Sequence, residues 1–258
     1  MNEDNEKLNR NLRNGLATLY SQVESFIWLS KALTLSGSLP PLRGWATSPD
    51  ILLKLHEYIR LNRPKLIVEC GSGASTIVIA DALRQVGSGK LISLEHSDKY
   101  GAQTRGRLQC EKLLPYVDVR ISSLKPWDGT HLSDEDETFW YDDNDLSDID
   151  GVQLLLVDGP PGKTCKYARY PAMEAFHSKL TQNAQVWMDD TIRREEVDIC
   201  SQWAEKFEFE QGTFAFEKGL IVLNRKGVKP LEDASFLNTG KSKPLAEFDF
   251  SSGKRQRG

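Results

Sequence analysis

The residues of this chain best placed to do chemistry are carboxylates at the ends of short apolar runs. The first run, Lys65–Cys70 (KLIVEC), passes straight into Gly71-Ser72-Gly73-Ala74-Ser75-Thr76. Glycines at a strand-to-helix turn let the backbone approach a ligand closely, and the following helix offers unbonded N–H groups. A nucleotide-bearing ligand fits that turn. It does not read as a dinucleotide fingerprint, because Thr76 stands at the third glycine position, and no GxxxxGK[ST] loop occurs. Glu69 would repel a pyrophosphate; it suits a positively charged ligand, such as an amino-acid ammonium or a sulfonium. Glu95 closes the second run, KLISLE (90–95). In nucleotide-binding α/β folds a carboxylate at that place accepts from ribose hydroxyls, the alternative here being a cap on the next helix. Asp158 closes a later run, VQLLLVD (152–158), and Asp189-Asp190 close AQVWMDD (184–190).

The elements that must position these residues follow an alternating rhythm. Strands are expected at 65–70, 90–95, 117–122, 152–158 and 184–189, with helices at 75–86, 98–114 and 170–180 and another running to about Lys206. Phe207–Gln211 and Gly219–Asn224 read as a late antiparallel hairpin. Strands alternating with helices imply a doubly wound, Rossmann-like parallel sheet. Upstream, residues 5–35 read as a helix, with Leu12, Leu16, Leu19, Val23, Phe26 and Ile27 forming one apolar stripe. That stripe either packs on the main domain or serves as a dimerisation face or lid. Ser48-Pro49-Asp50 marks a second helix start. The acidic stretch 128–150 reads as a solvated loop partly docked through Phe139, Trp140 and Tyr141. The tail 227–258 is polar and is expected to be disordered.

Composition narrows the function classes. Thirty-three basic against 37 acidic residues give a net charge of -4, which argues against a nucleic-acid binder. Cys70, Cys110, Cys165 and Cys200 form no CxxC pair, so reduced thiols in a cytoplasmic protein are expected. The N-terminus MNEDNEKLNR is too polar for a secretory leader. The apolar stretch near Val23–Leu35 is too short and too interrupted to span a bilayer.

In the combination and order of VECGSGAST (68–76), SLEHSDKY (93–100), LLLVDGPPG (154–162), ARYPA (168–172) and VWMDDTI (186–192), the chain resembles the class I S-adenosylmethionine-dependent methyltransferases. The closest likeness is to a bacterial subgroup with DGPPG after the fourth strand and a lead-in like Gly44-Trp45-Ala46-Thr47-Ser48-Pro49. The resemblance runs from about Gly44 to Asn224. It implies a seven-stranded, mostly parallel sheet with the last strand antiparallel. It divides the chain into an N-terminal helical extension (1–43), a methyltransferase domain (44–226) and a tail. It implies S-adenosylmethionine as cofactor, with Glu69 at the methionine ammonium, Gly71, Ser72, Gly73 and Ser75 lining the turn, and Glu95 on the ribose. His96 and Ser123 are the candidates nearest the adenine.

The family's strand order makes the strands ending in Asp158 and in Asp189-Asp190 neighbours, about 4.8 Å apart. Three carboxylates together ask for a cation. The arrangement resembles the magnesium site of catechol-type O-methyltransferases, with Asp158, Asp189 and Asp190 as ligands, although an Asp-Asn pair is usual where Asp189-Asp190 stand. Mg²⁺ there would lower the pKa of a bound hydroxyl. The alternative is that Asp190 caps a helix and Asp158 shapes a turn. Asp158 is the first candidate for the proton acceptor and Lys163 the second. Arg169 and Tyr170 either bind an anionic substrate group or anchor their loop. Trp45 either stacks on a ring or packs in the core. The expected reaction is O-methylation of a small molecule or glycan hydroxyl, and a homodimer through the N-terminal helix is the expected assembly. N-methylation, aminopropyl transfer and a silent Rossmann-like module are the rivals.

Overall fold

The computed structural model describes residues 2–132 and 137–228. Residues 133–136 of the acidic stretch, and all of the predicted tail beyond residue 228, lie outside the described residues. The chain opens with α1 (Asn2–Ala32) and α2 (Pro49–Asn62). It continues through β1 (Leu66–Cys70), α3 (Ala74–Val86), β2 (Lys90–Glu95), α4 (Asp98–Cys110) and β3 (Val117–Ile121). A short hairpin follows, β4 (Leu124–Pro126) with β5 (Phe139–Tyr141). Then come β6 (Val152–Val157), α5 (Pro171–Phe176), β7 (Leu180–Asp189), α6 (Arg194–Lys206), β8 (Phe209–Phe214) and β9 (Leu220–Arg225).

Seven strands form one sheet in the order β3-β2-β1-β6-β7-β9-β8. The pairs from β3 to β7 are parallel, and β9 runs antiparallel between β7 and β8. The doubly wound sheet with an antiparallel last strand is therefore observed. The chain order reverses between β1 and β6, so their carboxyl ends bracket the crevice where open α/β sheets bind ligands.

Alternation along β1 explains why its run is continuously apolar. Val68 and Cys70 face a layer with Trp140, Tyr141, Met173 and Trp203. Ile67 faces the opposite layer, with Ile51, Leu55, Ile77 and Leu91. A strand covered on both faces has no polar side to show. The docking expected for the acidic stretch is present, since Trp140 and Tyr141 are buried in the first layer. They fill space that a crossover helix would otherwise cover.

Several boundaries differ from the sequence expectation. The predicted helix 170–180 is a single turn and a half, α5, followed by a 3₁₀ turn at His177–Lys179. β7 begins four residues earlier than expected and carries a register irregularity opposite β6. The largest difference concerns α1. It does pack on α2, but through Gln22, Ser25 and Leu29, which are buried. The apolar stripe Leu12, Leu16, Leu19, Val23, Phe26 and Ile27 is exposed. Among the described residues no helix is long and apolar enough to cross a membrane. No disulfide joins the four cysteines.

Candidate functional site

The glycine turn sits at the carboxyl end of β1, beside the end of β6. Gly71 has φ +96°, and a Cβ there would lie 3.2 Å from the carbonyl oxygen of Asp158. A side chain at Gly71 would be strained by its positive φ and would press on the Asp158 carbonyl. Gly159 is equally constrained, because a Cβ on it would lie 2.7 Å from Tyr141 Oη. The Asp158–Gly162 loop thus presses directly on the turn, and Tyr141 props it from below. The Tyr141 hydroxyl is buried with no hydrogen-bond partner. Sequence reading had given this residue only a packing role. Its place in an aromatic triplet within an acidic run was the available signal.

Glu69 lies at the floor of the turn and is fully buried. Its Oε2 accepts from Thr76 Oγ1 at 2.6 Å and Ser93 Oγ at 2.7 Å. Its Oε1 is buried and has no partner. Ser75 is buried beside it in the first turn of α3. Burial pushes the Glu69 carboxyl up to about 7, against the pull of the neighbouring Ser75, Thr76 and Ser93 hydroxyls. An unsatisfied buried carboxylate oxygen beneath a glycine cradle fits the ammonium of a methionine-bearing cofactor.

Glu95, at the end of β2, is tied to the same turn. Its Oε2 accepts from Ser72 N at 3.1 Å and Ser72 Oγ at 2.8 Å. Its Oε1 accepts from Ser97 N at 2.9 Å and lies 3.2 Å from His96 Nδ1. Burial works against the charge, but these donors hold the Glu95 carboxyl below its ordinary range. It is an ionised acceptor whose partners Ser72 and His96 can yield to a diol. Gly73 precedes the first residue of α3 and donates its N–H to Thr76 Oγ1. Ser123, predicted near the adenine, is exposed beyond β3; its neighbour Ser122 is buried and accepts from Asp142 N.

The second constellation lies across the crevice. Arg169, which is 3% exposed, enters from the loop before α5. Its Nη2 donates to Asp158 O at 3.0 Å, Asp158 Oδ1 at 3.1 Å and Asp190 Oδ2 at 2.9 Å. Its Nη1 donates to Asp189 O at 3.0 Å and lies 3.8 Å from Glu196 Oε1. Asp190 also pairs with Arg193 and lies 3.8 Å from Lys218 Nζ. Lys218 holds the lead-in segment by donating to Gly44 O and Ala46 O, both at 2.7 Å. Thr47 of that segment donates to Asp158 Oδ2 at 3.1 Å.

The three aspartates do meet, as expected, but they do not fit a divalent ion. A guanidinium sits where the cation was predicted, bonded to two of the three carboxylates. The third, Asp189, turns Oδ1 onto Asp190 N at 2.6 Å and leaves Oδ2 buried without a partner. Burial, then the charge of Asp158, raises the Asp189 carboxyl to about 8. Among the described residues, no group of three or more His, Cys, Asp or Glu side chains is arranged to hold a metal ion. Arg169 thus bridges Asp158 and Asp190, two of the three carboxylates expected as magnesium ligands. Of the two roles left open for Arg169, anchoring is the one observed.

Asp158 and Asp190 each keep a partly open side, with side chains 13% and 15% exposed, whereas Asp189 is fully buried. Burial raises the Asp158 pKa against the opposing pull of Arg169, Thr47 and Lys218. Lys163, the second candidate base, is directed elsewhere: its Nζ stands 4.7 Å from the ring centroid of Trp45. Trp45 is 69% exposed, so it is not a core residue. His177 is structural, 4.7 Å from the Phe207 ring and 3.2 Å from Arg225 Nη1.

If Glu69 meets a cationic ligand group, affinity depends on its ionisation. Protonated Glu69 offers no charge, so binding weakens as pH falls below about 7. S-adenosylhomocysteine affinity is expected to fall by up to about tenfold per pH unit there. Titration calorimetry between pH 8 and 5.5 checks this, with Glu69→Gln expected to bind weakly and without that slope. A flat profile in the parent chain would remove Glu69 from ligand contact.

Residues 68–191, a stretch holding every site residue predicted above, match the family model described as "Methyltransferase domain". No curated protein matches the chain. Among solved structures, an S-adenosylhomocysteine-bound methyltransferase from Podospora anserina is 16% identical, with TM-score 0.55, over 80% of this chain and 87% of that one. An O-methyltransferase from Bacillus cereus, also bound to S-adenosylhomocysteine, is 17% identical, with TM-score 0.54, over 80% and 91%. An O-methyltransferase from Streptomyces achromogenes involved in tomaymycin synthesis, in complex with S-adenosylmethionine, is 16% identical, with TM-score 0.50, over 77% and 89%. At these identities the likeness establishes a shared fold.

Proposed function

We propose that this S-adenosylmethionine-dependent methyltransferase methylates a hydroxyl of a small molecule or glycan, with Asp158 as the proton acceptor and Arg169 in the place of a divalent ion. The observation that carries the reading is the Asp158 carboxylate. It is partly open, its pKa is raised, and its backbone lies against the Gly71 turn.

The cofactor supplies a methyl group already activated by its sulfonium. Glu69, Glu95 and the glycine turn would hold it in the crevice between β1 and β6. What remains is alignment of the acceptor oxygen and removal of its proton. Asp158 takes that proton as the oxygen–carbon bond forms and the carbon–sulfur bond breaks. Arg169 fixes one Asp158 oxygen and Thr47 the other, so the carboxylate cannot rotate away. Exposed Trp45, with Lys163 over its ring, offers an apolar face beside this site for a sugar or aromatic ring. A hydroxyl is favoured over an amine because an amine that is protonated in water brings a second cation towards Arg169.

The test is a panel of hydroxylated aromatic and glycan acceptors, with amine analogues, incubated with S-adenosylmethionine. Methyl ethers are expected, at rates unchanged by EDTA and unchanged when Mg²⁺ is returned. Transfer to amines alone would overturn the hydroxyl assignment. Loss of activity on chelation, restored by Mg²⁺, would overturn the role given to Arg169.

A further inference from the structure

We infer that the acceptor carries an anionic group, a carboxylate or a phosphate, on its ring, and that Lys163 and Trp45 together recognise it. The inference rests on the Asp158 edge being the acceptor side, and adds the charge of the molecule that comes there. The first observation is a cation without a counter-charge. Arg169 is bonded to Asp158 and Asp190. Arg193 pairs with Asp190 and with Glu196. Lys218 donates to two carbonyls of the lead-in and lies 3.8 Å from Asp190. Lys163 is exposed and, among the described residues, meets no carboxylate. Its ammonium faces the Trp45 ring instead.

The second observation is apolar. Outside α1, Trp45 at 69% and Ile192 at 68% are the most exposed large apolar side chains among the described residues. Both belong to segments that border this edge. Ile192 N donates to Lys218 O at 3.0 Å, and Lys218 clasps Gly44 and Ala46 on either side of Trp45. Two residues further on, Thr47 bonds Asp158. Two residues span at most about 7 Å, so Trp45 stands close beside the Asp158 carboxylate. Its backbone is pinned on both sides while its ring is left bare. A ring held in this way is pre-organised for stacking.

Together the two observations describe an exchange. In the free chain the indole face is the counterpart of the Lys163 ammonium, a weak contact at an exposed position. An acceptor ring that stacks on Trp45 displaces the ammonium, and the flexible lysine stem carries it to the rim of that ring. An anionic substituent there replaces what Lys163 gave up. A neutral ring offers no replacement, and a cationic one adds repulsion. The substituent is remote from the hydroxyl that reacts. It therefore binds ground state and transition state alike, and is felt in KM rather than in kcat.

The test is calorimetric titration of the full chain, saturated with S-adenosylhomocysteine. One series is a catechol carboxylate (protocatechuate), its neutral amide and a catechol amine (dopamine). The other is glucuronate, glucose phosphate and glucose, whose two anions tell carboxylate from phosphate. In at least one series an anion is expected to bind about fivefold more tightly than its neutral partner, the upper range for an exposed ion pair. The preference should fade as salt is raised. Lys163→Met should abolish it, and Lys163→Glu should reverse it towards the amine. Trp45→Leu should weaken the binding of every ring. Lys31→Met, which removes the comparable ammonium over Trp28 of α1, should change none of these values. Equal binding of anion and neutral partner in both series, a preference kept in Lys163→Met, or no binding by any probe would each overturn the inference. A probe that binds in the expected order and is not methylated when S-adenosylmethionine is supplied would count against the hydroxyl reading and leave the anion site standing.

Discussion

Asp158→Asn is expected to lower kcat by about 10² to 10⁴, the usual worth of a positioned general base. Binding of S-adenosylhomocysteine should change little. The amide keeps the size of the carboxylate, its oxygen can still accept from Arg169 and its NH2 can donate to the Thr47 hydroxyl, but it cannot take a proton. Asp158→Ala is a harsher test, because it also removes a buried partner of Arg169. The pH dependence carries a second signature. Burial holds the Asp158 pKa above the ordinary aspartate range, so the protonated, inactive form persists at higher pH than usual. The rate should therefore rise with pH through that raised value and level off above it. Asp158→Asn should lose this acid limb along with the rate. Steady-state kinetics from pH 4.5 to 8, with single-turnover measurement to separate chemistry from release, decides the matter. An unchanged kcat in Asp158→Asn would dismiss Asp158 as the base.

Arg169→Met is expected to destabilise the fold by about 3–5 kcal/mol, the typical cost of removing one partner from a buried ionic cluster. At about 2–4 °C per kcal/mol for a domain of this size, melting should fall by roughly 10 °C. The loss comes less from the missing bonds than from what stays behind. Asp158, Asp190 and Glu196 would keep their places without the guanidinium, and the carbonyls of Asp158 and Asp189 would lose a donor. Arg169→Lys should recover only part of the loss, since an ammonium cannot span the ends of β6 and β7 as the planar fork does. Removing Arg169 takes away a charge that pulls the Asp158 pKa down, and so raises its folded-state value further. A raised carboxyl pKa costs stability above the unfolded value and nothing below it. The Arg169→Met defect should therefore shrink as pH is lowered towards 4. Chemical denaturation at pH 7 and pH 4 measures it; an equal defect at both would mean that Arg169 acts by packing alone.

How much was legible in the sequence depends on the kind of signal. KLIVEC, KLISLE and VQLLLVD announced strands because residues buried on both faces must be apolar in an unbroken run. Gly71 was legible because a positive φ this close to Asp158 O favours glycine. The short α5 was read too long because Ala172, Met173 and Phe176 carry a helical rhythm. The rhythm says nothing of where the chain turns to enter β7. The stripe on α1 was visible as a periodicity, but periodicity does not say which body covers the face. In the folded chain Gln22, Ser25 and Leu29 meet α2, and the stripe is left outside.

The sequence by itself determined the alternating α/β order, the glycine turn, and the carboxylates that end β1, β2, β6 and β7. Each of these is a local rule, written in neighbouring residues. Only the tertiary structure decided what the carboxylates do. Three aspartates at a sheet edge demand a counter-charge, and spacing alone is satisfied equally by a metal ion or by a side chain from elsewhere. Arg169 lies 11 residues beyond Asp158 and 20 before Asp189, and no local pattern points its guanidinium back between them. Packing of the loop before α5 under the ends of β6 and β7 does so. Coulomb attraction is blind to sequence separation, and so the partner of a charge is settled by the fold.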